Sequence, residues 1–189
     1  MKKRLALVLA LIFLLTAPLT LASDPLTEGF DPEAVTEGTL RIMNAALSGK
    51  TSAVPDSKYS GNYEVLFNGE SIGAYIYITR MDAQGNTSTE GVPNTISFSL
   101  FFPLTGNDEE IKSNIAYWMM FSASILQYLT DEENNEEIMK AVQAGLSEAM
   151  NAPDMTASFS YGGYEVQLVM LPVNNDSILF GIVIRAPGL

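Results

Sequence analysis

The chain has 189 residues, with 22 acidic side chains against 10 basic ones, and it holds no histidine and no cysteine. That composition excludes thiol nucleophiles, Ser-His-Asp triads and the usual zinc sites, which are built from those two residue types. A net charge of −12 also argues against nucleic acid and anionic membrane surfaces as partners.

Met1-Lys2-Lys3-Arg4 is a basic start, residues 5–15 are an unbroken apolar run, and Thr20-Leu21-Ala22 ends in small residues. This is the pattern of a secretory signal peptide cleaved after Ala22. Residues 1–22 are therefore set apart from the fold. The protein is expected to be exported, to the periplasm or the medium of a bacterial cell, with no stable membrane insertion after cleavage. Cleavage removes three basic residues and no acidic ones, so the mature chain is more acidic still. Without cysteine, packing alone must hold the exported fold.

Residues 23–31 read as a short acidic linker, and 32–189 as a single domain, large enough to bury about 70% of its unfolded surface. Asp31-Pro32 opens a first helix, with Asp as N-cap and Pro in the first turn. Val35, Leu40, Ile42, Met43, Ala46 and Leu47 are its apolar positions. Gly38 weakens it, and Ser48-Gly49 ends it.

Strands follow. Residues 63–67 alternate moderately, and Asn68-Gly69 is a hairpin turn signal. Residues 72–79 (IGAYIYIT) are rich in β-branched and aromatic side chains, apolar on both faces. Asp82 to Asn86 reads as a turn. In residues 95–102, Ile96, Phe98, Leu100 and Phe102 face one way, Ser97 and Ser99 the other.

The stretch 114–129 (NIAYWMMFSASILQYL) carries no charge. Acids flank it: Asp108, Glu109 and Glu110 before, Asp131, Glu132 and Glu133 after. Ile111, Ile115, Met119, Ser122 and Leu126 share one helical face, and Trp118, Phe121, Ile125 and Leu129 an adjoining one, so the helix is covered on most sides. Asn107 and Glu110 form a capping box. The run falls short of the roughly 20 residues a membrane span needs, and no Lys/Arg asymmetry orients it. It reads as a buried helix at the centre of the domain, in which Ser122, Ser124 and Gln127 need partners.

Thr130, with Glu133, is expected to cap a following helix whose stripe is Ile138, Val142, Leu146 and Ala149, stopped by Pro153. Strands at 156–161, 164–171 and 178–184 complete the chain, joined by turns at Gly162-Gly163 and Asn174-Asn175-Asp176. The expected fold is α+β: an antiparallel sheet of about five to seven strands packed against three helices.

Two segments look alike. Gly61-Asn62-Tyr63-Glu64-Val65, Ser71-Ile72 and Arg80 parallel Gly162-Gly163-Tyr164-Glu165-Val166, Ser177-Ile178 and Arg185. Either the domain is two duplicated helix-plus-meander halves, or Tyr-Glu-Val after a Gly turn is simply good strand chemistry. The second half, two helices then three strands, resembles in element order the unit of β-lactamase inhibitory proteins and of small outer-membrane assembly lipoproteins. The absence of a lipid-anchor cysteine departs from the lipoprotein version. The whole order resembles type III secretion chaperone-like domains. These resemblances are topological and carry no functional residues over.

Three chemistries stay open. The acidic run from Asp131 to Glu137 could attract Ca²⁺, but it lacks the alternating ligands and glycine of an EF-hand loop; a capped, dipole-matched helix start is the plainer reading. Glu64 and Glu165 could form a carboxylate pair for glycoside hydrolysis if they share a cleft. Aromatics on the sheet, Tyr75, Tyr77, Phe101 and Tyr164, are the candidate binding residues for a protein or glycan partner. The chain calls for no metal and no cofactor. The expected function is an exported, non-enzymatic interaction module for an unknown protein or envelope component. The alternatives are a small carboxylate-dependent hydrolase or a Ca²⁺-modulated glycan-binding domain. Self-association through an exposed strand edge, such as 178–184, is a further expectation.

Overall fold

A computed structural model describes residues 28–186, apart from 48, 60, 83, 85, 89–90, 105–106 and 133–134. The expected signal peptide, residues 1–22, lies outside the described residues. The elements are α1 (Pro32–Ala46), β1 (Thr51–Pro55), β2 (Asn62–Phe67), β3 (Glu70–Met81), β4 (Thr87–Ser88), β5 (Thr95–Pro103), α2 (Asp108–Thr130), α3 (Asn135–Asn151), β6 (Thr156–Tyr161), β7 (Tyr164–Asn174) and β8 (Ser177–Arg185). The fold is α+β, as expected. All strands lie in one open antiparallel sheet of order β1-β2-β3-β5-β8-β7-β6, with the two-residue β4 paired to β3.

Local chemistry explains the element ends. The Asp31 carboxylate accepts from the backbone N–H groups of Glu33 and Ala34, and Pro32 occupies the first turn of α1. Asn107 and Glu110 make the reciprocal capping box that starts α2. Asn68-Gly69 and Gly162-Gly163 all have positive φ, as tight hairpin turns with the strands' own twist require. Thr130 corrects an expectation. It is the last residue of α2, not the cap of α3, and its hydroxyl donates to the Leu126 carbonyl at 2.8 Å. Asp131, at φ 50°, ends α2, and α3 runs from Asn135; Glu133, the expected partner of the cap, lies outside the described residues.

The core lies between the sheet and the helices. α2 packs against both α1 and α3, over the middle of the sheet. Phe121 stacks on Phe98 of β5 with ring centroids 4.1 Å apart, and Trp118 meets Phe180 of β8 edge-on at 5.5 Å. Residues 121–126 are all buried, serines included. Ser124 donates to the Met120 carbonyl, whereas the Ser122 hydroxyl has no partner among the described residues. Gly38 of α1 lies directly against Tyr128 of α2: a Cβ there would lie 2.1 Å from the Tyr128 ring. The glycine that lowers helix propensity is thus a packing device. Phe30, at the end of the expected linker, is also in the core, stacked on Tyr164 at 6.1 Å.

Two helix-plus-meander halves are present, but the sequence likeness does not superimpose them. It pairs β2 with β7 and β3 with β8. Those strands run in the same directions, and Tyr63 and Val65 face the helices as Tyr164 and Val166 do. Yet β1 to β3 cross the sheet one way and β6 to β8 the other. The units are mirror images, which no rotation can superimpose. The twofold the strand order does permit pairs β3 with β7 and β2 with β6. Strand chemistry after a glycine turn therefore accounts for the likeness.

Candidate functional site

Directly paired residues share a sheet face, so the strand registers sort every side chain. One face carries Ile76, Phe98, Ile182 and Leu168 in a single cross-strand row, all buried beneath the helices. The opposite face carries the residues between them. Among the described residues, no helix or strand covers it.

Three rows define the middle of that open face. In the first, Phe101, Leu179 and Leu171 pair across β5, β8 and β7. In the second, Glu64, Tyr75, Ser99, Gly181 and Val169 follow one another across β2, β3, β5, β8 and β7. In the third the order is Asn62, Tyr77, Ser97, Val183 and Gln167. Tyr75 and Tyr77 are 37% and 36% exposed, Phe101 40% and Leu171 50%. The two tyrosine rings stack at 6.3 Å. Between them and Val169 run the small residues Ser97, Ser99 and Gly181, which keep the centre of the face low. Gly73, at φ +69°, lies beside Phe101; a Cβ there would come within 3.0 Å of the Phe101 carbonyl oxygen. Burial raises the pKa of the Tyr77 phenol, Tyr75 adds to it, and a hydrogen bond with Ser99 partly offsets both. The phenol is thus neutral, and able to donate, at all physiological pH values.

Tyr75, Tyr77 and Phe101 thus lie together on the exposed face. Tyr164 does not. It is 2% exposed, on the helix side, and its hydroxyl donates to the Leu129 carbonyl at 3.3 Å. Its position follows from alternation with Glu165, and it is a core residue. Leu171 and Leu179 belong to the open face and were missed. The signal was the shift from Glu165 and Gln167 to Val169 and Leu171 on the outward positions of β7.

Glu64 and Glu165 both lie on the open face but share no cleft. β3, β5 and β8 separate their strands, which is roughly 19 Å at the usual strand spacing. Retaining and inverting glycosidases hold their carboxylates at about 5–9.5 Å. Glu64 instead accepts a hydrogen bond from the Ser71 hydroxyl, and Glu165 pairs in register with Arg185. In the acidic run, Glu132 accepts from the Tyr161 hydroxyl at 2.6 Å. Burial first, then that bond to a carboxylate, push the Tyr161 pKa up to about 12.

Strand 178–184, expected as an exposed edge, is β8 at the centre of the sheet, between β5 and β7. Its unbroken apolar sequence is that of a strand needed on both sides. No described helix is long and apolar enough to cross a membrane. No family model, curated protein or solved structure matches the chain.

Proposed function

We propose that this is an exported, non-enzymatic binding module that engages a protein or other component of the bacterial envelope through the open face of its sheet. The observation that carries the reading is the face itself: Tyr75, Tyr77, Phe101 and Leu171 stand a third to a half exposed on a sheet whose other face is already filled. A solvated sheet face ordinarily alternates to polar side chains. Apolar side chains grouped there mark interaction surfaces, and tyrosine suits them because it offers a flat apolar body with a polar tip. The low centre formed by Ser97, Ser99 and Gly181 lets a partner approach the sheet closely. The separation of Glu64 from Glu165 supports a binding role over a carboxylate-pair hydrolase. Export rests on the amino-terminal sequence pattern.

The test is capture with a matched loss. Residues 23–189 are immobilised and exposed to secreted and envelope fractions of the host, beside a Tyr75→Ser, Tyr77→Ser, Phe101→Ser variant. A saturable partner retained by the parent chain and lost by the variant supports the reading. Equal retention by both overturns the face as the site. Retention of a glycan alone, or only in the presence of Ca²⁺, replaces the envelope-protein reading with the glycan one.

A further inference from the structure

The two edges of the sheet differ in what they leave unpaired. The bond from Asp56 N–H to the Asn62 carbonyl, and that from Asn68 N–H to the Lys50 carbonyl, fix the phase of the β1–β2 ladder. Even-numbered residues of β1 bond to β2, so Thr51, Ala53 and Pro55 direct their backbone outward. That edge is closed at both ends. The Asn44 side chain of α1 takes both backbone groups of Thr51, accepting its N–H at 2.6 Å and donating to its carbonyl at 2.8 Å. Pro55 has no N–H to offer.

The β6 edge has no such closure. The bond from Met170 N–H to the Met155 carbonyl sets odd-numbered residues of β6 against β7. Thr156, Ser158 and Ser160 therefore point their backbone groups away from the sheet. Asp154 accepts the Thr156 N–H at 3.2 Å. Ser158 and Ser160 keep both N–H and carbonyl free among the described residues. The strand, TASFSY, has no charge, proline or bulge, which are the devices that ordinarily protect an edge.

We infer that β6 pairs with β6 of a second copy, antiparallel about a twofold axis, joining the two sheets into one. The free groups choose the register. Ser158 of one copy opposite Ser160 of the other forms a hydrogen bond with each free N–H and carbonyl of the two serines and leaves the Thr156–Asp154 contact intact. Phe159 then meets its own copy on the helix side in a close, non-hydrogen-bonded pair, where cross-strand aromatics interact best. On the open side only serines meet. Glu165 lies in register between Ser160 and Arg185, so the two copies' glutamates do not oppose each other. The twofold stands perpendicular to the sheet, so both open faces point the same way and form one continuous surface. A six-residue strand is a small interface, so micromolar affinity is expected. The net charge of each copy is strongly negative, so added salt strengthens the dimer.

Sedimentation velocity on residues 23–189 over a concentration series, at low and high salt, tests this. The expected result is a monomer–dimer equilibrium that tightens with salt. Ser158→Pro removes an outward N–H without touching the β6–β7 ladder and weakens the dimer at least about tenfold. Ser160→Lys, a surface change on the same edge, does the same if the proline variant fails to fold. Val54→Lys on the closed β1 edge leaves the dimer unchanged. Loss of the dimer in either folded β6 variant supports the inference. A monomer up to about 100 μM, well above a micromolar constant, overturns it, as does a dimer that survives both β6 variants.

Discussion

Along β3, Ala74, Ile76 and Ile78 point to the helices and are almost wholly buried, while Tyr75 and Tyr77 between them keep more than a third of their surface exposed. Both sets are apolar, both belong to one strand, and only one has a layer over it. The covered face is built from branched aliphatics and rings that interlock with Trp118, Phe121 and Leu126 of α2. The open face sets flat aromatics and leucines around serines and a glycine. The first pattern maximises packing within the chain. The second leaves a shallow surface with nothing of its own to fill it. Apolar content alone did not distinguish these faces; register and the position of the helices did.

The comparison can be broken from the covered side first. Trp118→Ala should cost about 3–5 kcal/mol, as large-to-small changes at fully buried aromatics do. On the open face Phe101→Ser should cost less, about 1–2 kcal/mol, since Phe101 is already 40% exposed. Chemical denaturation of the two variants measures both, and equal losses would mean that the open face is packed after all. Gly38→Ala comes next. Helix propensity alone predicts a gain of about 1 kcal/mol. The new methyl would overlap the Tyr128 ring, so a net loss of about 1–3 kcal/mol is expected, read as a lower denaturation midpoint. Ser122→Ala should go the other way. It removes from α2 a buried hydroxyl with no partner among the described residues, so stability should rise by about 1 kcal/mol, read as a higher midpoint.

The smallest effect is a titration. The Tyr161 phenol is raised to about 12 by burial and by its bond to Glu132. The folded chain therefore holds that proton to a higher pH than the unfolded chain, whose tyrosines ionise near the ordinary value of about 10. The stability this adds is level below pH 10 and falls as pH rises from about 10 through 12. Tyr161→Phe should reduce the slope of that part of the stability curve and remove one late-titrating phenol from the tyrosine absorbance.

Much of the fold was legible because its signals are local. The Asn107–Glu110 capping box, the Asp31-Pro32 start and the glycine turns are each contained in four residues or fewer, and each stands as read. The charge-free stretch of α2 was long enough to mark the central helix. Most of what failed depended on partners distant in sequence; the local Thr130 cap failed because α2 runs on through Thr130. β1 has little periodicity and exists because it pairs with β2. The value of Gly38 depends on a tyrosine of α2, and the central position of β8 on two strands that enclose it. The candidate site was legible in part. Alternation put Tyr75, Tyr77 and Phe101 on strands and Tyr164 opposite Glu165, but it took the register and the position of the helices to show that Tyr164 lies on the covered face while Leu171 and Leu179 join the open one.

If the open face is the binding surface, a partner must cover its aromatics. Hydroxyl-radical footprinting of residues 23–189, with and without the host's envelope extract, tests it most directly. Tyr59 is 55% exposed on the loop before β2 and serves as an internal reference. Protection of Tyr75, Tyr77 and Phe101 is expected on adding extract, with Tyr59 as reactive as before. Unchanged labelling of the three, or protection confined to residues outside the open face, would contradict it.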